Sequence, residues 1–256
     1  MQFIDTHSHI YSSEFDTDRT DAINRCTTAG VTRLILPDID ASSRQAMLNL
    51  ADSNPEMFFP TAGLHPTSVG AQYKADLQLV EKMLSSGRKF YAIGEIGIDL
   101  YWDKTFEREQ FDAFITQVKW AKELQLPIII HIRNAIEKTI AALEPLVDSN
   151  LRGVFHCFSG TLQQAQQAIS MGFMLGIGGV LTFKKSDLPE VVRQINIDKL
   201  LLETDCPYLA PVPHRGKRNE SSYIPIIAQK LAEIKEITIE EVAQQTTRNA
   251  EVLFRL

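Results

Sequence analysis

Short apolar runs alternate along this chain with longer stretches whose apolar residues recur at helical spacing. The runs fall at residues 3–6, 31–36, 58–63, 90–94, 128–131, 153–156, 173–177 and 200–204, eight in all. Segments such as PIIIH and KLLLE show no polar alternation, which is the pattern of strands buried on both faces. Between the runs, Phe111, Phe114, Val118 and Ala121 stand at 3-4-3 spacing and share one helix face. Leu162, Ala165, Ala168 and Ile169 do the same, with Thr161 as the expected N-cap and Gly172 as the expected residue past the C-cap. Gly30 is expected to end the first helix in the same way. Two further helical stretches follow the last run, at 223–234 and 239–254. Eight buried strands alternating with helices predict an α/β fold of the (β/α)8 TIM-barrel type, as one domain over residues 1–256. An open doubly wound sheet has the same periodicity. The positions of the polar residues separate the two.

Those positions are ordered. Of the six histidines, His7 with His9, His65, His131 and His156 stand at or just past the end of a predicted strand. Glu95 ends the fourth run and Asp205 the eighth. In a parallel barrel all these ends meet on one rim, where barrel active sites are built. In DTHSH, residues i and i+2 of a strand face the same side, so His7 and His9 can offer two imidazoles to one cation. Glu95 lies in GEIGID between Gly94 and Gly97, and its two oxygens can bridge two cations. Asp99 reads as a structural partner rather than a ligand. IIIHIR supplies His131, with Arg133 two residues on and on the same side. VFHCFSG supplies His156; the side chain of the next residue, Cys157, is expected to point away and pack. In LLLETDCP, Glu203 and Asp205 share a parity. Asp205 sits further out and is the candidate ligand and base, whereas Glu203 is placed to orient a ligand. His65, in GLHP, is expected in a turn held by Pro66, in contact with substrate.

Composition narrows the function class. With 26 Lys and Arg against 32 Asp and Glu, the net charge is −6, which argues against a generally basic nucleic-acid coat. One local cluster runs the other way. PHRGKRNE carries His214, Arg215, Lys217 and Arg218 just after the eighth strand, and Lys184 with Lys185 extend the patch. Arginine grips phosphate through paired hydrogen bonds, so an anionic, phosphate-bearing substrate is expected. Three cysteines without a C-x-x-C pair do not make a disulfide scaffold, and a reducing, cytoplasmic setting is expected. No apolar run reaches the roughly 18–20 residues of a membrane span, and no signal peptide is read at the start.

The ordered set DTHSH, GLHP, GEIGIDL, HIR, HCFSG, LLLETDCPYL and RGKRNE resembles the TatD-type metal-dependent deoxyribonucleases, within the amidohydrolase-like barrels, over essentially the whole chain. The resemblance implies a (β/α)8 fold, two divalent ions, and hydrolysis of DNA phosphodiesters from the 3′ end. It also implies that His7, His9 and Asp205 hold one ion, that His131 and His156 hold the second, and that Glu95 bridges. His65, Arg133 and Arg215 would contact substrate or phosphate. Relatives in the family act on other esters, D-aminoacyl-tRNA among them. The family nucleases are described with Mg²⁺, whereas four imidazoles favour Zn²⁺, Mn²⁺ or Co²⁺. A related group of barrels bridges its metals with a carbamylated lysine at the end of the fourth strand, where this chain has Glu95. One departure is visible: Ser221 follows RGKRNE where the family commonly has proline.

Overall fold

A computed structural model describes residues 1–256. Each apolar run overlaps a strand, and every strand pairing is parallel. The strands are β1 (Phe3–Asp5), β2 (Val31–Leu36), β3 (Phe58–Pro60), β4 (Ile93–Asp99), β5 (Ile128–Arg133), β6 (Gly153–Phe155), β7 (Phe173–Ile177) and β8 (Leu200–Leu202). The helices between and after them are α1 (Arg19–Thr28), α2 (Ala41–Ser53), α3 (Tyr73–Leu84), α4 (Glu107–Leu124), α5 (Ile136–Leu143), α6 (Leu162–Ser170), α7 (Leu188–Gln194), α8 (Ile224–Lys235) and α9 (Ile239–Phe254). The helix signals act as read. Thr161 caps α6 by accepting from the Gln164 N–H, and Gly30 and Gly172 have φ of 81° and 91° past their helices.

β1 to β3 form one sheet and β4 to β8 a second. Backbone hydrogen bonds cross both seams. Ala62 and Gly94 join β3 to β4 through Ala62 N to Ala92 O and Gly94 N to Ala62 O, and Thr6, His9 and Asp205 join β8 to β1. The order is therefore that of a TIM-barrel-like fold, with each strand beside its successor and the last beside the first.

Alternation along the strands sorts apolar residues into two layers. Ile4, Ile35, Phe59, Ile129, Val154 and Leu201 form one inner cluster, together with Ala250, Leu253 and Phe254 of α9. Ile128, Ile130, Phe155, Leu200 and Leu202 belong to the larger cluster that the surrounding helices cover. Each such side chain removed from water is worth about 1.5–3 kcal/mol, and α9 supplies the inner layer with its own plug.

The fourth strand differs from expectation. It does not end at residue 94 but runs from Ile93 to Asp99, with Glu95 inside it. Ile93 pairs with Ile128 and Ile96 with Ile130, so three residues of β4 advance against two of β5. That extra residue is a β-bulge, which re-aims the side chain it carries. Gly97, at φ 150°, lets β4 pass β5, since a Cβ there would lie 1.9 Å from the His131 carbonyl oxygen.

Candidate metal centre

The strand ends bring the predicted residues to one place. Without a bulge Glu95 would share the outward side of Ile93; with it, the carboxylate enters the barrel and is buried. Its Oε2 lies 3.1 Å from His7 Nε2 and 3.6 Å from His9 Nε2. Its Oε1 lies 2.8 Å from His131 Nδ1, 3.4 Å from His65 Nε2 and 3.7 Å from His156 Nε2. The two oxygens thus face two different groups of histidines. Asp205 Oδ1 is 3.5 Å from His9 Nε2, 3.8 Å from His7 Nε2 and 3.9 Å from His156 Nε2.

These donors fit metal ions. Ligand atoms at about 2.0–2.1 Å from a tetrahedral ion lie roughly 3.3 Å apart, and the spacings around Glu95 bracket that value. His7, His9 and Glu95 form one group able to hold an ion and His7, His156 and Asp205 form another; His65, Glu95 and His131 cluster as closely, but His65 faces that group with an N–H.

Hydrogen bonds behind the donors set which nitrogen faces the centre. The Tyr11 hydroxyl donates to the Pro37 carbonyl, so its oxygen accepts from His9 Nδ1 at 2.8 Å and leaves His9 Nε2 free inside. Asp99 Oδ2 stands 2.9 Å from His131 Nε2, which leaves Nδ1 toward Glu95. Glu203 Oε1 sits 3.0 Å from His156 Nδ1 and accepts the Cys157 N–H at 2.5 Å. Glu203 is packed so close to β7 that a Cβ at Gly176 would lie 2.1 Å from its Oε2. His65 is different. Its Nδ1 accepts the Thr67 N–H at 3.1 Å, so the neutral ring carries its proton on Nε2 and presents a donor to the centre.

The electrostatics follow from this packing. Burial pushes His7 down to about 4, helped by His156 stacked on it at 3.4 Å between ring centroids. Burial also opposes protonation of His156, but Glu203 and Glu95 outweigh it and raise that ring to about 10. Despite its burial, Glu95 is held well below the usual carboxylate range by His7, His65 and His156. An ionised, acceptor-only Glu95 is the form a cation needs.

Two residues depart from the sequence reading. Cys157 does not simply pack away. Its φ of 47° ends strand alternation after His156, and its sulfur lies within 4.8 Å of ligand atoms of His156 and Glu203. It borders a cleft of about 760 Å³ beside His156, which Ile132, Ile136, Phe158 and Leu162 also line. Arg218 is not a free cation of the basic loop, because it pairs with Asp18 at 2.6 Å and Glu220 at 3.0 Å and lies over Phe15. Arg215 is exposed and stacks on Phe183, next in the chain to exposed Lys184 and Lys185. Arg133 is exposed too, its guanidinium 3.8 Å from the Tyr101 ring centroid. Ser221 is buried, its hydroxyl 3.0 Å from that of Ser8, and so ties the last loop to the DTHSH segment. Tyr11 and Thr67 were not singled out in the sequence. The signal for both was spacing, since each follows a site histidine by two residues.

A family model described as TatD related DNase matches residues 4–255. The chain belongs to the TatD family. It is 40% identical over 253 residues to the uncharacterized metal-dependent hydrolase YabD of Bacillus subtilis, covering 98% of each chain. It is 33% identical over 254 residues to the 3′-5′ ssDNA/RNA exonuclease TatD of Pantoea ananatis, covering 97% of each. Among solved structures, the TatD homologue YJJV of Escherichia coli K12 superposes with a TM-score of 0.93 at 30% identity, over 99% of this chain and 98% of that one. A Saccharomyces cerevisiae amidohydrolase at 17% identity shares the fold, with a TM-score of 0.85. This TatD-family chain is thus a metal-dependent hydrolase by kinship, with His, Glu and Asp clusters able to bind metal. No helix is long and apolar enough to cross a membrane.

Proposed function

We propose that this chain is a two-metal phosphodiesterase that shortens single-stranded DNA from the 3′ end. The observation that carries the reading is the split of Glu95, with Oε2 toward His7 and His9 and Oε1 toward His131 and His156. That is what a carboxylate bridging two ions requires. Asp205 would complete the site beside His7 and His9. The names of relatives at 32–33% identity support the substrate class.

Bound ions would polarise the phosphoryl group and lower the pKa of water towards about 7. The protein's own residues do the rest. Asp205 has the most exposed carboxylate of the cluster, at 16% against 3% for Glu95, and accepts the proton of the water that attacks phosphorus, while the bond from phosphorus to the 3′-oxygen of the preceding nucleotide breaks and that oxygen takes a proton from solvent. His65 Nε2–H donates to a phosphoryl oxygen, its tautomer held by Thr67. Glu203 and Tyr11 keep His156 and His9 aimed inward. Arg133, in register with Asp99, and Arg215, stacked on Phe183, have no carboxylate partner and would meet the rest of an anionic strand.

Two measurements test this. Protein titrated with Mn²⁺ or Zn²⁺ binds about two equivalents per chain, and Glu95→Gln binds at most one. A plateau at one equivalent that Glu95→Gln leaves unchanged removes the bridge. A single-stranded oligonucleotide labelled at its 5′ end is shortened stepwise, while D-aminoacyl-tRNA is left intact. The reverse selectivity would keep the metal site and replace the substrate.

A further inference from the structure

The loop after β4 carries two aromatic rings that the metal cluster does not use. Tyr101 is 51% exposed and Trp102 69%, and the rings meet edge to face at 4.9 Å between centroids. Neighbouring exposed aromatic rings bordered by polar groups offer a flat apolar surface to a ligand.

The loop is also held firmly, and by a residue of the site itself. Asp99 Oδ1 accepts the N–H groups of Tyr101 at 2.9 Å and Trp102 at 3.4 Å, while its other oxygen is 2.9 Å from His131 Nε2. Gln110 of α4 clamps the Asp99 backbone from both sides, accepting its N–H and donating to its carbonyl. On the neighbouring strand, Arg133 stands in register with Asp99. Its guanidinium lies 3.8 Å from the Tyr101 ring centroid and 5.1 Å from that of Trp102, with no ion pair to neutralise it. Arg133 is two residues beyond His131 on β5, about 7 Å along the strand.

We propose that Tyr101, Trp102 and Arg133 form a base-stacking subsite, which receives a nucleobase of a single-stranded nucleic acid beside the bond to be cleaved. The identity of that bond rests on the phosphodiesterase reading; the stacking itself does not. A flat aromatic face suits a base because every base has a π-face, and such contacts tolerate any sequence. Arg133 uses its own face against Tyr101 and keeps its edge N–H donors for the adjoining phosphate. A duplex keeps its bases stacked on each other, so the subsite selects unpaired strands.

The chain has two tryptophans, Trp102 and half-buried Trp120. In a Trp120→Phe background, fluorescence reports Trp102 alone. Metal-loaded protein is titrated with a phosphorothioate-linked oligothymidylate that resists hydrolysis, and with an abasic oligomer of the same length and charge. The thymidylate quenches the fluorescence and the abasic oligomer does not. In filter-binding titrations, which need no tryptophan, Trp102→Ala and Tyr101→Ala weaken thymidylate binding roughly 5- to 100-fold, Trp102→Phe restores most of it, and none of the three changes binding of the abasic oligomer. Equal quenching by both oligomers, or unaltered affinity in Trp102→Ala, overturns the subsite. Base-dependent quenching without cleavage of any oligonucleotide would uphold the subsite and remove the phosphodiesterase reading. Cleavage without base dependence would do the opposite.

Discussion

The two ends of the strand array are built from the same strands on the same inward face, yet they have opposite chemistry. Toward the start of the strands, Ile129, Val154 and Leu201 pack with Leu253 and Phe254 of α9 in a dry cluster. One pleat later on each strand come His131, His156 and Glu203, with Asp205 a pleat further. The change from hydrocarbon to ionisable groups takes about 7 Å along a strand. The apolar end stabilises the fold. The polar end weighs against it, because His7 Nδ1 and Glu203 Oε2 are buried without a hydrogen-bond partner, and such groups cost free energy when left unpaired. Stability and chemistry are thus separated along one axis, and substitutions at the two ends should have separable effects.

Phe254 gives the largest expected effect. It is 2% exposed and closes the dry end. Phe254→Ala should cost about 3 kcal/mol of unfolding free energy, in the range for emptying an aromatic site. Turnover per folded molecule should stay at the wild-type value. Urea unfolding beside an active-site titration checks both. Full stability in Phe254→Ala would mean that α9 does not seal the array.

Asp205 is the counterpart at the other end. Asp205→Asn should lower turnover about 10²-fold or more, as loss of a base does, and leave the unfolding midpoint close to wild type. The φ of 57° at Asp205 lies in the left-handed region, which asparagine also tolerates. A folded Asp205→Asn enzyme with near-normal turnover would take the proton-accepting role from this residue.

What the sequence made legible follows the same division. Strand and helix positions came from uninterrupted apolar runs and 3.6-residue spacing, which the inner and outer layers dictate directly. Ligand-type residues came from their places at the ends of those runs. The inward turn of Glu95 was not legible, because a bulge changes parity without leaving a mark in the apolar pattern, and the run 90–94 stops short of Glu95 whereas β4 spans Ile93–Asp99. Cys157 was misread for a related reason. Alternation stops wherever φ turns positive, and nothing in HCFSG announces that. The partners behind the histidines, Tyr11 and Thr67, depend on which nitrogen faces which neighbour, and that is a property of the folded arrangement.

The basic loop repeats the comparison on a smaller scale, with two arginines three residues apart. Arg218 is locked to Asp18 and Glu220, and Arg25 shares both partners. Arg215 has no carboxylate partner and stacks on the Phe183 ring. Arg218→Ala should lower stability slightly, because partly exposed ion pairs are weak, and leave nucleic-acid affinity alone. That loss should depend on pH in a definite sense. The arginines Arg218 and Arg25 hold Asp18 below its ordinary range; for Glu220, burial pulls upward, but Arg25 and Arg218 hold it down as well. A depressed carboxylate contributes stability above its unfolded pKa, and that contribution disappears as pH falls through the folded one. The difference between wild type and Arg218→Ala should therefore be full at neutral pH and shrink below about pH 4. Arg215→Ala should behave in the opposite way, with unchanged unfolding at every pH and weaker binding of a single-stranded 3′ end. The slope of log affinity against log salt should fall by about 0.7, because one phosphate of the strand is no longer neutralised. Arg215→Lys should recover part of the affinity, because lysine keeps the charge and gives up the paired donors. An unchanged salt slope in Arg215→Ala, or a loss of affinity in Arg218→Ala equal to it, would mean that the loop does not divide its arginines between holding the fold and meeting the substrate.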